Sequence, residues 1–129
     1  MTRDEVLQEI QRRISEHKGY RLEPSHRRLL GSLDPSSAPY AFVPRWPQDW
    51  CDVRALVEEM KEAGAEVQIG ATTQGACAWL WLPGHRMVIG HAYDHAGFGR
   101  DEAEAIARCY CAWKGIDLSD FMELSDGRA

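Results

Sequence analysis

Apolar residues recur at three- and four-residue spacings in three stretches of the chain and at two-residue spacing between them, which predicts three helices and a small sheet. The first helical stretch carries Val6, Leu7, Ile10 and Ile14. Thr2 and Glu5 stand before it in a T-x-x-E capping pattern, and Gly19 is placed to end it. Tyr20 to Leu22 reads as a short extended piece, and His26 to Leu30 as one helical turn. The second helix opens on Asp49 as N-cap, presents Val53, Leu56, Val57 and Met60 on one face and stops at Gly64. The third opens on Asp101, with Glu104 three residues on, turns Ala103, Ile106, Ala107, Tyr110 and Trp113 inward and stops at Gly115.

Between the last two helices the period changes to two. Glu66 to Thr72 alternates, with Val67, Ile69 and Ala71 on one side. Cys77 to Leu82 is apolar on both sides, so it predicts a central strand covered twice. Arg86 to Tyr93 alternates again and predicts a third strand, followed by a loop at Asp94 to Arg100. Short turns at Gln74-Gly75 and Pro83-Gly84 make the three an antiparallel meander. The predicted fold is α+β: a small antiparallel sheet of three to four strands with helices on both faces, an α-β-α sandwich.

The chain of 129 residues has the size of one domain, spanning 1–129. Residues 31–48 interrupt its pattern with four prolines and with Tyr40, Phe42 and Trp46, and residues 116–129 form an acidic tail. A connection this long without regular structure is either functional or packed by its own aromatics. The net charge of −5 argues against a nucleic-acid partner. That charge is uneven, with 7 Lys/Arg against 5 Asp/Glu in the first 33 residues and 8 against 15 in the rest. No apolar run is long enough for a membrane span, and the charged start MTRDEVLQEI has no signal-peptide core, so a cytoplasmic location is expected. Cys51, Cys77, Cys109 and Cys111 are then reduced thiols, read as small hydrophobes.

The candidate chemistry is sparse. His85, His91 and His95 lie close in sequence, but on a strand His85 and His91 stand roughly 20 Å apart and could share an ion only if His85 were in the turn. No metal and no cofactor are therefore expected. A Cys–His pair wants an exposed, electropositive thiol, which Cys77 on a buried strand does not offer. Gly97-Phe98-Gly99-Arg100 before a helix could hold an anion, yet Asp101 and Glu102 oppose it, and a plain loop is favoured. Arg12, Arg13, Arg21, Arg27 and Arg28 form a modest basic set that reads as a solvated face. The strongest candidate is a protein-binding surface of Tyr40, Phe42, Arg45, Trp46 and Trp50 in and beside the proline-stiffened loop. Glu58, Glu59 and Glu62 form an acidic face that could mimic phosphate.

Ile14-Ser15-Glu16-His17-Lys18-Gly19-Tyr20, Leu56-Val57-Glu58-Glu59-Met60 ending at Ala63-Gly64, the Trp-bearing strand and Asp101-Glu102-Ala103-Glu104-Ala105-Ile106-Ala107-Arg108 together resemble the phage ABA sandwich proteins. The proline-rich loop and the long tail depart from that layout. The resemblance implies a fold and a phage or prophage origin, not an activity. The expected function is thus a non-enzymatic accessory protein that binds a host protein, such as a component of a bacterial defence system in the manner of an anti-CRISPR. Two alternatives stay open: a metal- or thiol-dependent enzyme built on His91, His95, Asp94 and the cysteines, and a self-assembling, homodimeric structural protein.

Overall fold

A computed structural model describes residues 2–23, 30–32 and 41–120. The elements run α1 (Arg3–His17), β1 (Arg21–Glu23), β2 (Leu30–Ser32), β3 (Ala41–Phe42), α2 (Trp50–Glu62), β4 (Glu66–Thr72), β5 (Gly75–Trp81), β6 (His95–Gly99) and α3 (Glu102–Lys114). The chain is α+β, its described residues forming three α-helices and two small antiparallel sheets ordered β1-β2-β3 and β4-β5-β6. Among the described residues, no helix is long and apolar enough to cross a membrane.

The helix ends are those written in the sequence. Thr2 and Glu5 close a reciprocal capping box on α1. Asp49 accepts the amides of Cys51 and Asp52 at the start of α2, and Asp101 accepts the Glu104 amide at the start of α3. Gly115 ends α3 with φ of 74°, a left-handed conformation that suits glycine.

Strand β5 is the centre of the larger sheet, pairing with β4 through Val67↔Leu80 and Ile69↔Ala78 and with β6 through Ala78↔Gly97 and Leu80↔His95. One face of β5 presents Ala76, Ala78 and Leu80, which join a single core with Val6, Ile10 and Ile14 of α1, Val53, Leu56 and Met60 of α2, and most of α3. Cys77, Trp79 and Trp81 alternate to the other face and stand outside that core. The helices therefore gather more one-sidedly than the doubly apolar Cys77–Leu82 segment suggests. The element enclosed on every side is α3, in which all residues from 103 to 111 are buried. Strands β5 and β6 lie against it, and α1 and α2 pack on it as well.

The third strand of this sheet is not Arg86–Tyr93. Residues His85–Met87 form a short 3-10 turn, 88–94 are irregular, and β6 lies in the stretch expected to be a loop. The reason is contact with α3. A Cβ on Gly97 would run into the backbone of Ala105 and Cys109, and one on Gly99 would stand 2.7–2.8 Å from Glu104 and Ala105. The two glycines let a helix lie directly on a strand, a close approach that Met87, Ile89 or Tyr93 could not give.

The described residues of the proline-rich region are also more structured than a loop. It contributes β3 and part of β2, and it sends Val43, Trp46 and Pro47 into the interior. Leu30, expected in a helical turn, is a strand residue of β2, and the rest of that turn lies outside the described residues.

Candidate functional site

The surface expected to bind a partner is divided by the fold. Trp46 is buried, its indole N–H donating to Ser15 Oγ at 3.1 Å, so it is a core residue and not a contact. Arg45 is half-buried, its backbone amide held by Asp52 and its guanidinium donating to Gln48. Phe42 and Trp50 are exposed, and Tyr40 lies outside the described residues. Glu58 and Glu62 face solvent, but Glu59 does not belong with them. Its carboxylate accepts Lys18 Nζ at 2.6 Å and the Tyr110 hydroxyl at 2.9 Å, and it pairs with Lys114 at 3.2 Å. Burial works to raise the Glu59 pKa, yet Lys18, Tyr110 and Lys114 together bring it below the usual glutamate value. With two lysines on it, Glu59 cannot serve as a free phosphate mimic. Arg12 and Arg13 of the basic set are likewise paired, with Glu9 and Glu16 and with Glu9 and Asp120.

The thiols offer no nucleophile in the interior. Burial pushes Cys109 and Cys111 up to about 12 and raises Cys77, so all three stay protonated at neutral pH. Cys109 Sγ lies 3.9 Å from the His95 carbonyl oxygen, and His95 takes no part in a cluster with His91.

What the fold does assemble is the loop between β5 and β6. Because His85 falls in the 3-10 turn, the two histidines that a strand would separate come together, with ring centroids 4.9 Å apart in an edge-to-face arrangement. Asp94 lies between them: His85 Nδ1 is 3.1 Å from both carboxylate oxygens and His91 Nε2 is 3.0 Å from Oδ1. The carboxylate also accepts the Leu82 amide at 2.8 Å, and the Asp94 amide donates to the Leu80 carbonyl at 2.8 Å. The Leu82 amide, with the two imidazoles against the opposing effect of burial, lowers the Asp94 pKa to about 2. The loop is thus clasped at its base and braced by its own backbone, with Met87 donating to Gly84, Val88 to His85 and His91 to Val88.

The clasped loop displays apolar side chains to solvent. Met87 is 85 % exposed, Val88 54 % and Ile89 101 %, with Tyr93 also exposed at the loop's end. The alternation that disguises these residues as a strand is what hides them in the sequence. Gly90 inside that alternation is the signal that could have marked the break. Beside the loop, Arg86 stacks 4.7 Å from the centre of the Trp81 ring and reaches Gln68 and Glu66.

No known family matches the chain. No curated protein matches it. No solved structure matches it either.

Proposed function

We propose that this chain is a non-enzymatic binding protein that captures a protein partner on the loop between β5 and β6. The observation that supports this reading is the run Met87-Val88-Ile89, three large apolar residues turned to water on a loop held by backbone hydrogen bonds and by Asp94. Burying such side chains yields about 1.5–3 kcal/mol each when complete. A loop already fixed in shape loses little entropy on docking. The net charge of −5 opposes a nucleic acid or an anionic membrane as the surface that covers it. The resemblance to phage ABA sandwich proteins adds the proposal that the partner is a host protein, with a defence-system component as one such target. Exposed Glu58 and Glu62 would then face a basic rim.

Affinity capture from a bacterial lysate tests this. The wild-type chain and a Phe42→Ser/Trp50→Ser variant should retain the same stoichiometric protein, and a Met87→Ser/Ile89→Ser variant should lose it. Loss only in the Phe42/Trp50 variant would move the contact to the 42–50 surface and contradict the reading. A second outcome against it is no captured protein together with a dimer in sedimentation that the Met87/Ile89 variant dissolves. That would make the chain a self-assembling protein.

A further inference from the structure

We propose that His85, His91 and Asp94 bind a single divalent transition-metal ion of the zinc class. The proposal stands apart from the partner-binding reading. Each residue offers one ligand atom, and the three atoms lie within 4.8 Å of one another. Zinc bonds of about 2.0–2.2 Å meeting at tetrahedral angles set neighbouring ligand atoms roughly 3.3 Å apart. The His85 Nδ1–Asp94 and His91 Nε2–Asp94 separations are 3.1 and 3.0 Å, so these two pairs need to open by only a few tenths of an ångström, while the two imidazole nitrogens, within 4.8 Å of each other, would draw together on the ion.

The carboxylate is held in place by groups other than the imidazoles. Asp94 Oδ2 accepts the Leu82 amide, and its own amide is fixed on Leu80, so the ligand keeps its position when the His–Asp hydrogen bonds give way to metal bonds. The His85 amide is tied to the Leu82 carbonyl, which anchors the second ligand to the same strand end. Two imidazoles and a carboxylate suit zinc better than magnesium or calcium, which prefer all-oxygen shells. The neighbouring cation, Arg86, is engaged with Trp81, Gln68 and Glu66 and does not compete for the carboxylate. Exposed His91 puts the site at the surface, where a fourth position is open to water or to a side chain from another molecule. An ion there would cross-link the two ends of the loop that carries Met87, Val88 and Ile89.

Zinc alone is the probe, titrated into the full chain bearing Cys51→Ser, since Cys51 is the exposed cysteine and the other three are buried. Calorimetry should show one saturable site, and the melting temperature should rise with zinc. His91→Gln leaves Asp94 on the Leu82 amide, so this variant should fold and yet bind zinc at least about tenfold more weakly. His85→Gln should do the same. Cobalt in place of zinc should give a visible spectrum of nitrogen and oxygen ligation without thiolate charge transfer. Absence of saturable zinc binding, binding unchanged in both histidine variants, or a thiolate band in the cobalt spectrum would each overturn the site.

Discussion

Two residues change meaning between sequence and structure, and both carry consequences that can be measured. Trp46 looks like an interface anchor in a proline-rich loop, but its ring fills the core and its N–H is satisfied by Ser15. Trp46→Ala should therefore cost about 3–5 kcal/mol in urea unfolding, and any binding it loses reports unfolding and not contact. Glu104 looks like a first-turn helix residue, but its carboxylate is buried and accepts from Arg3, Arg108 and the Arg100 amide. Burial works to raise its pKa, and those partners outweigh it, so the folded value lies below the ordinary 4.5. A carboxylate with a depressed folded pKa stabilises the fold above the unfolded value and loses that contribution as pH falls through the folded one. Stability should then decline below about pH 4.5, with Glu59 adding to the same window. Glu104→Gln should lower stability at pH 7 by about 3 kcal/mol, because Arg108 is left buried without its charge partner. Its stability should fall less steeply on acidification than that of the wild-type chain. Parallel curves for the two proteins would contradict the assignment.

At the scale of elements, local chemistry was readable and tertiary choice was not. The caps at Thr2, Asp49 and Asp101 and the helices they open follow from short-range hydrogen bonding, which the sequence spells out directly. The pairing of β4 with β5 follows from alternation and a Gly-containing turn. The third strand does not follow, because MVIGHAY has the better strand pattern and HAGFG has the better fit. Seating α3 on the sheet requires the missing side chains of Gly97 and Gly99, a requirement that exists only once the helix is there. The histidine cluster was hidden by the same shift, since His85 and His91 meet only when their segment is a turn and loop. Gly97→Ala should cost about 1–3 kcal/mol by forcing α3 away from β6, read as a lowered urea midpoint. An unchanged midpoint would mean that the helix does not rest on this strand.

At the scale of the whole molecule, the described residues combine a closely packed core with a loop that turns three consecutive large apolar side chains to water. Two carboxylate networks, at half-buried Glu59 and buried Glu104, tie α3 to the two ends of α1, and Glu59 brings in α2 as well. Against that frame the clasped loop holds Met87, Val88 and Ile89 in water, and the account's central claim is that a protein partner covers them. Ile89→Asp tests it most directly, because a fully exposed side chain can be replaced with little effect on folding, within about 0.5 kcal/mol. The measurement is the affinity of the captured partner for wild-type and Ile89→Asp chains of equal melting temperature. The account predicts a loss of at least about tenfold, equivalent to 1.4 kcal/mol or more. Equal affinity for the two chains would contradict it and place the contact elsewhere on the surface.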